Sequence, residues 1–500
     1  MNQLASLLRA LVLSPTPRAT NSLVDFPDEV VVQILSEEVL FKDIDLYGDG
    51  DSTQGRIIKL CNTLEHTPGL ARKVQTLHLS TFNEVHNKPA CKFVHTTLPS
   101  IIWALDIPLK AKIDWVGAAR HNSSSWRDVH DNWNDALIAA LLWTIPNLQK
   151  LRLYAEDSLS TLLGSLAQLP SRPILGTVKV LEIEARTGKA CGKYVPALDS
   201  ATSIMYLPSI HTLRINLQGD RDFWGDWIDD GANPHSARWR PSTVFQNGRG
   251  ISAVTNLSIK NSVEVSQLAS FLHSLKALKF FECSFKDPLV DQNLARLASG
   301  LYAHRKTLEN VRIVHYTYPW WRSKSVHLID CFPEFDKLHS LCVPSRALMP
   351  CDRRSTKPEI AAREIVCRLP PSLKSLTLAE WVYDEPTDPS DLCPDDDCDL
   401  EPLVHLISFI KQGELPCLRR INVTEAKYGD DHDCTPTEET ILKSVDQLDL
   451  IMGFARVGVE LTSERLANVH REAGCASTEP LTLGCRGNCT FGKFRHDLSG

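Results

Sequence analysis

An alternating pattern of apolar and polar residues recurs along most of the chain. It has the form L-x-x-L-x-L, and ten copies begin between Val74 and Leu418. Successive side chains of a β-strand point to opposite faces, so the fourth and sixth positions of each copy share a face. We therefore expect each copy to be a strand that buries one face. The clearest expected core positions are Leu77, Leu79, Leu151, Leu153, Leu181, Ile183, Leu213, Ile215, Leu257, Ile259, Leu376 and Leu378.

Apolar helical stretches precede several of these strands, and the clearest cover residues 136–147, 266–274, 292–307 and 403–417. One strand with one helix buries too little apolar surface to be stable, whereas stacked copies create a continuous core. The pattern predicts an α/β fold: an irregular leucine-rich-repeat-like solenoid with a mainly parallel sheet and helices on the outer face. Ten unrelated strands of an ordinary α/β domain are the alternative interpretation.

The copies are unevenly spaced. Most intervals are about 30 residues, slightly longer than the roughly 20 to 29 residues of ordinary leucine-rich repeats. The interval from Leu257 to Leu278 is shorter. The intervals Leu77–Leu151, Leu213–Leu257 and Leu376–Ile421 are much longer, so each must contain an insertion or an unrecognised unit.

A short amphipathic helix is expected before the first copy. Pro27 occupies a favourable first helical position, and Asp28 and Glu29 follow where the helix dipole favours acids. Apolar residues lie along one side at Phe26, Val30, Ile34 and Leu35. One interpretation is that residues 27–39 cap the open end of the repeat stack.

The stretch FPDEVVVQIL resembles the opening of an F-box. Together with TPGLARKVQTLHL and the irregular repeats, it makes most of the chain similar to fungal F-box and leucine-rich-repeat-like proteins. The resemblance implies a substrate receptor of a cullin-RING ubiquitin ligase, with a Skp-type adaptor and a cullin as partners. The adaptor contact would be carried by Phe26, Pro27, Glu29, Val30, Ile34 and Leu35. Residues 41–69 depart from the family, because Gly48 to Asp51 interrupt the helices and no tryptophan precedes Trp103.

Composition and charge bear on nucleic-acid binding, cellular compartment and membrane insertion. The 500-residue chain has a net charge of −7, which argues against a general nucleic-acid surface. Its 15 cysteines form no dense framework and no signal peptide is evident, so we expect an intracellular protein of the cytoplasm or nucleus. A mitochondrial presequence in residues 1–22 is the alternative. The longest apolar run, Ala136 to Trp143, is too short to cross a bilayer.

Aromatic residues in the segments between copies are candidates for partner binding, because aromatic side chains dominate protein-recognition hot spots. They are Tyr316, Tyr318, Trp320, Trp321, Trp224 and Trp227. The alternative is that these side chains anchor loops onto neighbouring repeats.

No signature of an enzyme is present: the chain has no phosphate loop, zinc helix, nucleophile elbow or dinucleotide fingerprint. We therefore predict a non-enzymatic protein-recognition module without catalytic, cofactor or metal residues. A scaffold without a ligase role is the first alternative. The second is a hydrolase whose metal would be held by Asp431, His432 and Asp433 with acids of the segment from Asp384 to Glu401; we predict that His432, Asp395 and Asp397 share no pocket.

Four segments follow from these patterns. Residues 1–22 are expected to be flexible, 23–70 to be the helical F-box-like or capping segment, 71–463 to form the solenoid with long insertions, and 464–500 to be a flexible tail.

The stretch VGVEL before Thr462 is expected to be the last strand. Cys331, Cys342, Cys351 and Cys367 are expected to be small apolar core residues.

Overall fold

The structure is a computed structural model. It describes residues 41–46, 51–80, 96–105, 109, 112–113, 116–117, 137–138, 140–155, 176–187, 207, 209–219, 252–260, 265–285, 294–315, 329–348, 357–381, 401–425 and 450–463.

The described strands form one sheet of twelve, in the same order as in the sequence, and every neighbouring pair is parallel. They are β1 Asp43–Leu46, β2 Thr76–Ser80, β3 Lys150–Ala155, β4 Val180–Thr187, β5 Thr212–Gly219, β6 Asn256–Lys260, β7 Phe280–Phe285, β8 Asn310–His315, β9 Ser340–Pro344, β10 Ser375–Trp381, β11 Arg420–Glu425 and β12 Glu460–Ser463. Sequential parallel order is the topology expected of a solenoid, and the predicted repeat architecture is confirmed at this level.

A regular hydrogen-bond pattern fixes the register of the sheet. The carbonyl just before one strand accepts two backbone N–H groups from the start of the next. Gln75 O, for example, accepts from Gln149 N at 2.7 Å and Lys150 N at 3.0 Å. The same double acceptance recurs from Lys42 O to Lys374 O. Each strand is therefore aligned with its neighbour at the same repeat position.

Because the register is constant, the alternating apolar residues form continuous rows. Leu77 pairs with Leu151, Leu151 with Leu181, and Leu181 with Leu213. All twelve core positions expected from the sequence are buried in one hydrophobic cluster. The predicted single core is confirmed.

Helices cover the leucine side of the sheet. They are α1 Asp51–His66, α2 Pro68–Ala71, α3 Leu98–Ala104, α4 Val265–Ser274, α5 Leu294–Tyr302, α6 Pro358–Cys367 and α7 Glu401–Lys411, with further helical residues at 137–138, 140–144 and 450–456. Buried side chains such as Leu268, Leu297 and Ile365 belong to the same cluster as the strand leucines. α4 and α5 approach closely at Gly300, where an added Cβ would lie 3.1 Å from the Ala269 Cα, so a larger residue there would force the helices apart.

The long intervals between copies are insertions. β2 pairs directly with β3, β5 with β6, and β10 with β11, so no strand of the described sheet lies inside these intervals. The short interval has a different cause, because the strand expected over Leu275–Phe280 begins only at Phe280. Phe281 and Cys283 occupy its core positions, opposite Leu257 and Ile259. Residues 275–283 contain two overlapping matches to the apolar repeat pattern, and pairing with β6 selects the second match.

β1 is a strand that the sequence pattern did not predict. It lies in the segment expected to be helical, and Ile44 pairs with Leu77 while Leu46 pairs with Leu79. At the other end, the expected last strand is found as β12, whose Leu461 is buried beside Ile421. α1 begins at Asp51, the last residue of the stretch Gly48 to Asp51 that was expected to interrupt the helices.

The expectation that four cysteines are core residues is only partly correct. Cys331 is half-buried, and burial raises the pKa of its thiol to about 12, as expected of an unreactive residue. Cys342 is half-buried but lies on the face of β9 opposite the buried Leu341 and Val343. Cys367 is exposed because it lies on the outer side of α6, and Cys351 lies outside the described residues.

A buried histidine joins two repeats. His304 follows α5 and is 3% exposed. Its Nδ1 accepts a hydrogen bond from Leu278 N at 3.3 Å, and its Nε2 lies 2.9 Å from Leu272 O, to which it donates. These two partners require a neutral ring with its proton on Nε2. Burial lowers the pKa of His304 below its ordinary value, against the opposing effect of the Leu272 carbonyl.

We expect His304 to make stability depend on pH. Since its pKa is lower in the folded than in the unfolded chain, the unfolded chain binds more protons below about pH 6.5, and the free energy of unfolding falls as the pH falls from there. One such group contributes a slope of at most about 1.4 kcal/mol per pH unit. His304→Gln should lower stability at neutral pH and flatten this slope. Urea unfolding between about pH 5 and 8 measures both quantities.

The matched control is His66→Gln, since His66 is an exposed histidine at the end of α1. This variant removes a histidine from the surface rather than from the core, so it should leave the stability at neutral pH close to that of the wild type. An equal slope in wild type and His304→Gln would contradict the role assigned to the buried ring.

Candidate functional site

The face of the sheet opposite the leucines carries the second set of alternating side chains. We call it the polar face; it consists of the residues at the positions between the buried ones, such as Lys150, Arg152 and Tyr154 on β3. The constant register that stacks the leucines also stacks these residues into rows. The rows run across the strands rather than along them, so residues distant in sequence become neighbours.

The middle row of the polar face is rich in charge on its N-terminal half. From β1 to β12 it reads Asp45, His78, Arg152, Glu182, Arg214, Ser258, Glu282, Arg312, Cys342, Thr377, Asn422 and Thr462. Acidic and basic residues are neighbours on β1 to β5 and again on β7 and β8, with Ser258 between these two groups on β6, whereas the last four strands contribute no charge to the row. Opposite charges directly across a pair of strands stabilise the pairing.

Glu182 is the centre of the larger charged cluster. Its Oε1 accepts a hydrogen bond from Arg214 Nη1 at 2.8 Å and lies 3.2 Å from Lys150 Nζ. Its Oε2 lies 3.9 Å from Arg152 Nε. The side chain of Glu182 is only 11% exposed, so three cations surround one largely buried carboxylate. Such a carboxylate needs these partners, because a buried charge without them is costly.

Arg152 connects this cluster to the edge of the sheet. It donates to Glu184 Oε1, and this hydrogen bond and charge raise the pKa of Arg152, although partial burial alone would lower it. On β2, the neighbour of β3 toward the edge of the sheet, His78 Nδ1 lies 3.0 Å from Asp45 Oδ1 of β1. Burial lowers the pKa of His78, and the Arg152 charge acts in the same direction against that of Asp45. His78 is therefore neutral at neutral pH.

A second, smaller cluster lies on β6 to β8. Ser258 Oγ donates to Glu282 Oε2 at 2.6 Å, and Arg312 Nε lies 3.6 Å from Glu282 Oε1. The Glu282 side chain is 17% exposed and that of Arg312 is 54% exposed. The arrangement repeats that at Glu182: a largely covered carboxylate holds an arginine that reaches solvent.

Access to the polar face differs between its rows. Toward the carboxyl ends of the strands, Tyr154, Ser284 and Ala379 are buried. The middle row and the row before it carry the accessible groups, including Arg214, whose side chain is 59% exposed. A partner would therefore meet chiefly the middle row and the row before it.

A shallow groove of about 450 Å³ borders the charged half at the amino-terminal edge. It is lined by Gln75, Asn147, Gln149, Gly176, Thr177, Lys179, Ser209 and His211. Thr177 Oγ1 donates to Leu148 O at 2.7 Å and Asn147 Nδ2 donates to Arg72 O at 2.7 Å, so part of its lining serves the turns. The remaining amides and Lys179 add hydrogen-bonding groups beside the clusters.

The binding residues expected from the sequence all lie outside the described residues. These are the adaptor candidates Phe26, Pro27, Glu29, Val30, Ile34 and Leu35 and the aromatic candidates Tyr316, Tyr318, Trp320, Trp321, Trp224 and Trp227. The groups of the alternative hydrolase site, Asp431, His432, Asp433, Asp395 and Asp397, also lie there. All of them stay predictions.

Neither a metal-binding cluster nor a membrane-spanning helix is found among the described residues. No cluster of three or more histidine, cysteine, aspartate or glutamate side chains within them could hold a metal ion. Among the helices they form, none is long and apolar enough to cross a membrane.

Comparisons with known proteins provide no assignment. No protein-family model matches the chain, and no curated protein is similar to it.

The charged row was not predicted, although the sequence contains a signal for it. When the copies are aligned on their two buried positions, the residue between these positions is His78, Arg152, Glu182, Arg214, Ser258, Glu282, Arg312, Cys342, Thr377 and Asn422. Alternating charge in that single column indicates neighbours on the sheet. The alternation of charge is not evident at β7, because the expected strand Leu275–Phe280 places Lys279 in the column instead of Glu282.

We expect Glu182→Ala to destabilise the protein by about 1 to 3 kcal/mol, because Lys150, Arg152 and Arg214 would lose their shared partner while remaining close together. Glu460→Ala is the matched control. Its carboxylate also accepts from an arginine, Arg420 at 2.9 Å, but the Glu460 side chain is 28% exposed against 11% for Glu182, and more exposed pairs contribute about 0 to 1 kcal/mol. Urea unfolding measures both variants. Equal losses would show that Glu182 is an ordinary surface residue.

Proposed function

We propose that the chain is a protein-recognition module that binds its partner on the polar face of the sheet. The observation that carries this proposal is the charged row from Asp45 to Arg312, in which covered carboxylates hold arginines that reach solvent. Pairing between strands alone would be served equally well by small polar residues, such as those found on β9 and β10. Charged groups fixed in a row offer a partner rigid, directional contacts.

The architecture supports the same proposal. A solenoid extends a surface across many strands, and such surfaces are commonly used to bind proteins. The polar face presents hydrogen-bonding groups and charges rather than a deep apolar cavity, and the described groove is shallow and polar-lined. Small-molecule sites are usually concave and largely apolar, so this face suits a protein partner better.

The finer proposal is that the module is the substrate receptor of an F-box-type cullin-RING ubiquitin ligase, in the cytoplasm or nucleus. It is supported by the resemblance of FPDEVVVQIL to an F-box opening and by the position of this stretch before the first repeat. In this arrangement residues near Pro27 would bind a Skp-type adaptor, and the polar face would bind the protein to be modified. A scaffold without a ligase role retains the second half of this proposal alone.

The binding face is tested by blocking it. Thr212 on β5 and Ser375 on β10 are half-buried residues of the polar face, and Thr212→Trp with Ser375→Trp would fill the space above two distant strands. Proteins cross-linked to the full chain in cells would be quantified by mass spectrometry. We expect the specific partner to fall at least tenfold. The control, Ser299→Trp with Glu359→Trp, changes exposed positions of α5 and α6 and should keep it. Retention by the polar-face variant would contradict the proposal.

The ligase role has a separate test. Ile34→Asp with Leu35→Asp should abolish co-purification of a Skp-type adaptor and a cullin, because the apolar side of the helix would then carry two charges. Phe26 and Pro27 remain, so the change is confined to one side of the predicted helix. If wild type recovers neither protein, or the variant recovers both equally, the ligase role is wrong while the recognition role stands.

A further inference from the structure

Within the two clusters of the polar face, exposure separates the two signs of charge, whereas Asp45 at the β1 end of the row is a 64% exposed acid. The carboxylates at the centres of the two clusters, Glu182 and Glu282, are 11% and 17% exposed. Their arginine partners Arg214 and Arg312 are 59% and 54% exposed. A partner that settles on either cluster therefore meets guanidinium groups first. The acids below act mainly to hold them in place.

The register aligns these arginines. Arg152, Arg214 and Arg312 occupy the same row on β3, β5 and β8. Neighbouring strands lie about 4.8 Å apart, so the first two are about 10 Å apart and the last two about 14 Å. An extended peptide advances about 3.3 Å per residue and turns only every second side chain to one face, so carboxylates two and four residues apart, about 7 and 13 Å, come closest to these spacings.

We propose that the polar face recognises an acidic segment of a partner protein, lying across the strands with carboxylates at intervals of about two and four residues. This inference rests on the proposed function and names the partner's chemistry. Arginine binds carboxylates through two parallel hydrogen bonds, and each guanidinium here keeps donors beyond those used on the sheet. Lys150, which is 40% exposed, adds a fourth cation beside Arg152.

The alternation along the row selects the kind of anion. Between the arginines lie Glu182, Ser258 and Glu282, which a segment with neutral residues at the intervening positions can cross without repulsion. A nucleic-acid strand carries charge at every nucleotide and would place phosphates above both glutamates. The net charge of −7 also repels a long polyanion.

The basic residues of the amino-terminal edge have a different explanation. Helix C-termini lie there, and cations near them satisfy terminal carbonyls and oppose the helix dipole. Arg305 Nη1, for instance, donates to Tyr302 O at the end of α5, and Arg368 Nη1 donates to Glu364 O at 3.0 Å at the end of α6. The arginines of the polar face have no helix end beside them among the described elements, so this explanation does not extend to them.

The test uses the full chain and fluorescein-labelled peptides of about ten residues in a serine and glycine background. One peptide carries glutamates spaced by about two and four residues, a second carries lysines at the same places, and a third carries glutamines. Fluorescence anisotropy at low salt measures binding. We expect the glutamate peptide to bind at least tenfold more tightly than the glutamine peptide, and the affinity to fall as salt is added.

Arg214→Glu with Arg312→Glu should weaken the glutamate peptide at least tenfold and create binding of the lysine peptide. The gain of binding shows that the variant is folded, which a loss alone would not. Arg214→Lys with Arg312→Lys keeps both charges and should retain most of the binding. The control is Arg296→Glu with Lys411→Glu, an equal charge change at exposed positions of α5 and α7, which should change neither affinity.

Three results would overturn the inference. They are equal binding of the glutamate and glutamine peptides, no effect of the double reversal, and tighter binding of a single-stranded oligonucleotide that the reversal abolishes, which would assign the face to nucleic acid. Failure here is distinct from failure of the proposed function. If cellular partners are lost with Thr212→Trp and Ser375→Trp but survive the arginine reversal, the face binds proteins by other contacts.

Discussion

The carbonyl that precedes each of the strands β1 to β10 is the constraint on which the sheet depends. By accepting two N–H groups from the next repeat, it fixes the start of that strand at the same level as its own. A slip of one residue would turn every buried leucine to the opposite face. The hydrogen-bond pattern and the leucine rows therefore enforce the same register, and each makes the other more favourable. Insertions of very different length between the strands leave this register unchanged, because nothing in it depends on the path of the intervening chain.

The same strand register brings the charged residues together in a row. Once they are neighbours, their ion pairs make a separate contribution to stability. Arg152, Glu182 and Arg214 are neighbours only because Leu151, Leu181 and Leu213 are stacked beneath them. Once neighbours, they cannot be changed independently, since removal of the central acid leaves three cations together. The two halves of the sheet differ in this respect. Cys342, Thr377 and Asn422 occupy the same row without charge, so the repeat fold itself does not require the ion pairs.

The parts of the fold that sequence reasoning predicted are those in which one residue position repeats. Paired apolar residues such as Leu376 and Leu378 occur in every copy, and their period distinguishes strand from helix. β1 was missed because Asp43 and Asp45 make its four residues look like a polar turn, and only pairing with β2 gives Ile44 and Leu46 a core to enter. β7 was misplaced because local pattern alone cannot choose between overlapping apolar phrases, whereas the neighbouring strand β6 can.

The candidate site was less predictable for a related reason. A lone Arg214 or Glu282 in a strand resembles any solvent-facing residue, and its meaning depends on a partner that is more than twenty residues away in sequence. The buried His304 is similar: its role is defined by Leu272 O and Leu278 N, which belong to the preceding helix and turn. Both features are readable only after the copies have been aligned correctly. Correct alignment of β7 alone moves Glu282 into the column between Ser258 and Arg312, where an alternating row of charge becomes visible. The register of the buried residues therefore determines which surface residues become neighbours, and the surface chemistry can be recognised only once that register is known.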